Sequence, residues 1–174
     1  MRLQHRSTRS ALAVAAAAAL AACAGFGTFV FTEESDEIEV EGDPITGGLQ
    51  ELFPVEIPMT VQLEERLEEQ NASGARSVHL TEIEFRMEED SDQEHFGFLS
   101  SIDIDVDADG QSREILAWQD DIPAESSFTL EVNDELDLKP YVEAGMDLFT
   151  EVEGSAPARD ARFRVYATFE VDVL

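Results

Sequence analysis

Along most of the chain hydrophobic residues recur at every second position. Phe163, Val165, Ala167, Phe169, Val171 and Val173 alternate with Arg162, Arg164, Tyr166, Thr168, Glu170 and Asp172. Successive side chains of a strand point to opposite faces, so this pattern predicts one long strand with a buried face and a wet one. Shorter runs with the same period predict strands at Thr28–Thr32, Glu37–Glu41, Met59–Leu63, Val78–Met87, Ser101–Ala108, Arg113–Trp118, Ser127–Val132 and Met146–Val152. In the Val78 run the apolar parity slips between Leu80 and Ile83, which predicts a β-bulge. Turn-forming residues separate the runs at Gly42-Asp43-Pro44, Asn71-Ala72-Ser73-Gly74, Asp109-Gly110, Ile122-Pro123 and Gly154 to Pro157. Helix is confined to Glu64–Gln70, with Leu63 and Leu67 on one face, and to Asp137–Ala144, closed by Gly145. Eight or nine short strands without an internal repeat predict an all-β, two-layer antiparallel sandwich, immunoglobulin-like or jelly-roll-like, with one or two short helices.

The first 22 residues follow a different rule. Residues 1–10 carry Arg2, Arg6 and Arg9 and no acid, and residues 11–22 are wholly apolar and mostly alanine. A basic stretch followed by a short apolar one is the make-up of a secretory signal peptide. The apolar run falls well short of the roughly 20 residues that a membrane-spanning helix needs. At the junction stands Leu20-Ala21-Ala22-Cys23, which resembles the lipobox of bacterial lipoproteins. The resemblance implies cleavage before Cys23, a diacylglyceryl group on its thiol and an acyl chain such as palmitate on the new amine. Each buried methylene contributes roughly 0.8 kcal/mol, so two or three chains make a lasting anchor. Ala24 follows the cysteine where many inner-membrane lipoproteins carry aspartate, and the resemblance therefore implies the outer membrane, with the leaflet open. The expected organisation is a signal peptide at 1–22, a lipidated tether at 23–27 and a single sandwich domain at 28–174.

Charge narrows the choice of partner. The chain has 39 acidic residues against 11 Lys and Arg, for a net charge of −28. Loss of the three leader arginines leaves eight basic residues and −31 on the mature chain. Such a surface repels nucleic acid and anionic lipid and favours cations and basic proteins. High charge could also signal disorder, but the patterned apolar positions and 11 phenylalanines point to a folded core inside an acidic coat. Lys139 is the sole lysine, and few lysines among many acids suit a salt-rich habitat. Cys23 is the sole cysteine, so no disulfide can form within the chain.

The stretch with the most chemistry is Asp103 to Gly110. Read from Asp105, it opens like a calcium-binding loop of the EF-hand type, with Asp105, Asp107 and Asp109 followed by a turn glycine. Leu116 then stands where a bidentate glutamate belongs, Ser112 replaces an apolar residue, and no helices flank the loop. Asp103 and Glu114 are the further carboxylates that could join a calcium site. The competing reading is a hairpin in which Ile102, Ile104, Val106 and Ala108 face the core, the aspartates face water and Asp109-Gly110 forms a type I′ turn; it accounts for more of the residues. Asn71-Ala72-Ser73 reads as a turn, His79 and His95 lack zinc-ligand spacing, and Trp118 reads as core rather than as a sugar-stacking platform.

No nucleophile elbow of the G-x-S-x-G type occurs, and no catalytic residues are assigned. The segment from about residue 75 onward also resembles uncharacterised acidic β-sandwich lipoproteins of bacteria, on Phe96-Gly-Phe-Leu-Ser-Ser-Ile-Asp-Ile and on Asp137 to Tyr141. That resemblance implies a sandwich and no active site. The expected function is a membrane-anchored, non-enzymatic binding, adhesion or structural module of the cell envelope, without a resident cofactor. The alternatives are a calcium-dependent binding module using Asp103–Asp109 and, behind it, a carboxylate-based hydrolase.

Overall fold

The computed structural model describes residues 27–43, 51–53 and 61–174. Ten strands and two helices follow in the order β1 (Thr28–Glu34), β2 (Ile38–Val40), β3 (Glu51–Phe53), α1 (Leu63–Glu69), β4 (Ala75–Met87), β5 (Leu99–Asp107), β6 (Glu114–Asp120), β7 (Ser127–Thr129), β8 (Glu131–Val132), α2 (Lys139–Ala144), β9 (Asp147–Gly154) and β10 (Ala161–Val173). They make two five-stranded antiparallel sheets. One has the order β1-β10-β4-β7 with β2 also on β10; the other has the order β3-β9-β5-β6-β8. Neither sheet closes into a barrel, and the all-β sandwich expected from the two-residue period is the observed architecture.

The alternation also sorts the faces. Phe163, Val165, Ala167, Phe169 and Val171 of β10 are buried, as are Val78, Leu80, Ile83 and Phe85 of β4. From the other sheet come Ile102, Ile104, Val106, Leu116 and Val152, and all of these belong to one hydrophobic cluster. At one end of it Phe85 stacks on Phe128 with ring centroids 5.1 Å apart, while Phe96 meets Phe128 edge-on at 4.9 Å and Phe163 at 5.4 Å. Such offset and edge-on pairs add about 0.5–1.5 kcal/mol each beyond area burial.

The bulge lies where parity slipped. Thr168 of β10 faces Glu82 and Phe169 faces Leu80, so Thr81 is the extra residue, and its hydroxyl donates to Thr168 O at 3.0 Å. The slip lets Leu80 and Ile83 both reach the core although they are three residues apart.

Three expectations are corrected. The part of the Met59–Leu63 run that is described is not strand: Leu63 opens α1, where it pairs with Leu67 one turn on. The Ser127–Val132 run is split at buried Leu130, with β7 pairing to β4 in one sheet and β8 to β6 in the other. Period two cannot reveal such a change of sheet, because both halves keep the same alternation. The turn between β5 and β6 is not type I′, which needs positive φ at both central residues. Gly110 has φ +79 while Asp109 is not left-handed, and Gln111 N–H donates to Ala108 O at 3.0 Å, as a type II turn requires. β3 is too short to show in the pattern.

Both helices end as foreseen. After α1, Ala72 N–H donates to Leu67 O and Asn71 N–H to Glu68 O, with Asn71 at φ 53, a Schellman motif with asparagine in the left-handed position. Gly145 closes α2 at φ 85. α1 is tied to β1 by Glu33, only 8% exposed, whose two carboxylate oxygens accept from Arg66 Nε and Nη2 at 3.2 and 3.3 Å. α2 is tied to β4 and to the β5–β6 turn: Asp137 Oδ1 accepts from Val78 of β4 and from Lys139 N–H, both at 3.0 Å, and buried Tyr141 donates its hydroxyl to Ser112 O in the turn.

Candidate functional site

Cys23 and its neighbours Leu20, Ala21 and Ala22 lie outside the described residues, as does the rest of the leader and most of the tether. Among the described residues no helix is long and apolar enough to cross a membrane.

The five carboxylates singled out for calcium sit on or beside the β5–β6 hairpin. Asp103, Asp105 and Asp107 project from the outer face, because Ile102, Ile104, Val106 and Ala108 between and beside them are buried. Across from them on β9 stand Glu151, Phe149 and Asp147. Asp105 is committed to Arg113, whose Nε and Nη2 both approach Asp105 Oδ2 at 2.7 Å while the guanidinium lies 4.4 Å from the centroid of Phe149. Asp107 accepts the N–H of Ala108 at 2.8 Å, and Asp109 is exposed on the turn. Glu114 faces inward-pointing Val106 across the ladder, so it cannot join the outer-face aspartates, and it accepts instead from Ser112 Oγ at 2.9 Å. The set is thus a row along a strand rather than a cage. Among the described residues no three Asp, Glu, His or Cys side chains converge to hold a metal ion.

That row has an electrostatic consequence at Asp103. The partial loss of water over the sheet face raises its pKa above the ordinary carboxylate value, and Asp120, Asp105, Glu151 and Glu153 push in the same direction. Trp118 is Asp103's partner in the β5–β6 ladder. It is therefore half-buried on the outer face and not in the core, a correction to the expected placement. The parity of β6 is broken by a bulge between its pairings with Ile104 and Asp105, which is why counting outward from Leu116 misplaces it. His79 lies on the outer face of the other sheet opposite Glu170, with Nδ1 shielded and without a hydrogen bond. His95 Nδ1 accepts the N–H of Gly97 at 3.2 Å.

A concavity lies at the two helices. A groove of about 1040 Å³ runs between α1 and α2 and is completed by the Ala72–Ala75 turn and Leu174. Val61, Leu63, Leu67, Val142 and Leu174 line it, and Leu174 is 66% exposed. Its carboxylates are Glu64, Glu65, Glu68 and Glu143, and its single lysine, Lys139, is paired with Glu143 at 2.7 Å. Sequence reasoning identified both helices and the apolar pair Leu63 and Leu67 but not the groove. Its walls come from positions more than 100 residues apart and meet only because Leu138 N–H docks on Val78 O at 2.7 Å and Leu174 N–H on Gly74 O at 3.0 Å.

The molecule is thus a two-sheet antiparallel domain with a carboxylate-rich outer face and an acid-bordered groove at one end. No protein-family model and no curated protein matches the chain significantly.

Proposed function

We propose that the protein is a lipid-anchored, non-enzymatic binding module of the bacterial envelope, held through Cys23 and presenting an acidic sandwich to cations or basic protein partners. The observation that carries the reading is the run of basic leader, short apolar stretch and Leu20-Ala21-Ala22-Cys23. Supporting it, the described domain starts four residues after Cys23, so the lipid and the sandwich would be separated by no more than about 14 Å of extended chain. The binding role is supported by a carboxylate face arranged as a row and by an open groove.

The anchor is tested by lipid analysis of the N-terminal peptide. Wild-type protein should partition with membranes and carry lipid mass on Cys23, and Cys23→Ser should lose the lipid, because a hydroxyl does not replace the thiol as acceptor. An unmodified Cys23 in the wild-type peptide would overturn the reading.

A further inference from the structure

One end of the sandwich brings the β5–β6 turn and α2 together, because Tyr141 donates its hydroxyl to Ser112 O. At the turn between β5 and β6 the surface is charged and Gly110 has open space around it. Beside it, α1 and α2 leave a groove between them. Its floor is apolar, from half-buried Val61, Leu67 and Val142 and exposed Leu174. At about 1040 Å³ the groove lies just above the roughly 300–1,000 Å³ range of small-molecule sites, which suits a peptide segment laid between the two helices better than a compact ligand. Charge selects among such segments. Glu64, Glu65 and Glu68 of α1 border the apolar floor and are all exposed, and Glu143 occupies the one lysine in the lining. An occupant must therefore carry apolar side chains on one face and Lys or Arg beside them, since an acidic one would meet like charge at every border position.

The groove also lies close to the start of the described chain. Val173 N–H donates to Gly27 O at 2.9 Å and Leu174 N–H to Gly74 O at 3.0 Å, so Gly27, which continues from the Cys23 tether, shares this end of the sandwich with Gly74 and Leu174.

We propose that the groove between α1 and α2 is the partner-binding surface, and that it takes a cationic amphipathic helical segment of another envelope protein; this presupposes the binding-module reading and adds to it the surface and the chemistry of the partner. The apolar floor supplies affinity, and the glutamates supply choice and approach rate.

The test uses the full-length protein in mild detergent and a designed Leu/Lys amphipathic peptide of about 15 residues, long enough to form a helix on contact, at ionic strength near 0.15 M, where the Debye length is about 8 Å. The peptide should bind and should slow amide exchange in Leu63–Glu69 and Lys139–Ala144. Glu64→Gln with Glu68→Gln should weaken binding about tenfold, equivalent to about 1.4 kcal/mol, whereas Glu151→Gln with Glu153→Gln on the outer sheet face should change it less than about twofold. A Leu/Glu peptide should not bind. Equal weakening by the two pairs would show attraction to the overall charge and overturn the proposal. So would failure to bind with both helices unprotected, or a peptide-independent dimer by sedimentation that protects the groove by itself. Lipid mass on the N-terminal peptide, measured on the same sample, reports the anchor separately, so loss of the groove and loss of the lipoprotein reading are distinct results.

Discussion

Two aspartates on the strand faces respond to pH in opposite senses. The folded state raises the pKa of Asp103, first by removing water and then by the neighbouring carboxylates. It therefore favours the protonated form, and what Asp103 contributes to folding is greatest in acid and is lost as pH rises through its raised value. Asp172 is the reverse: hydroxyls of Thr28 and Ser77 donate to it at 2.8 and 3.2 Å and lower its pKa. Its contribution is present above the ordinary value of about 3.9 and is lost as pH falls through the lowered one. Asp103→Asn should accordingly raise the melting temperature at pH 7, with the gain shrinking in acid, and Asp172→Asn should lower it at pH 7 and matter little in acid. Thermal melts between pH 2 and 8, a range spanning the carboxylate values, would check both, and equal pH profiles for the two variants would contradict this assignment. The placement of Asp103 was legible from alternation with Ile102 and Ile104. The tie of Asp172 to Thr28, 144 residues away, was not, because no local pattern encodes a partner across a sheet.

Among the elements, the edge beside β10 is the most revealing. β1 and β2 are one edge strand interrupted at Ser35, which is 2% exposed. Ser35 N–H donates to Val165 O at 2.9 Å, and Val165 N–H donates to the serine hydroxyl oxygen at 3.0 Å, in place of a backbone carbonyl. Ser35→Ala would leave a buried N–H of the central strand without an acceptor, a loss of about 1–3 kcal/mol. Denaturant unfolding should show a lower midpoint with little change in slope; an unchanged midpoint would mean that water reaches Val165. The break was legible only as a gap between two alternating runs, since a serine replacing a carbonyl has no periodic signature. The bulge at Thr81 and the asparagine turn at Asn71 were readable, because each rests on local chemistry. The split of Ser127–Val132 between the sheets and the resulting placement of the groove were not, because they depend on which distant strand accepts each half.

For the whole molecule the dominating quantity is charge. At −28 the chain repels itself, and folding concentrates that repulsion, so added salt should stabilise by screening. The melting temperature should rise with sodium chloride, and calcium at matched ionic strength should add little, because Asp105 already serves Arg113 and Asp107 its own turn. A calcium-specific rise abolished by Asp105→Asn with Asp107→Asn would instead assign an ion to the hairpin. The sandwich has a further consequence for the order in which the chain sets. β10 follows every other element in sequence, yet it lies inside its sheet, with β1 and β2 on one side and β4 on the other. Strands gathered from the two ends of a chain close slowly, because loop entropy must be overcome before any pairing rewards it. Until β10 emerges, the phenylalanine cluster lacks Phe163 and β1 has no ladder to join. A chain ordered in this way stays pliable until its last strand is in place, and that strand acts as the latch that sets the domain.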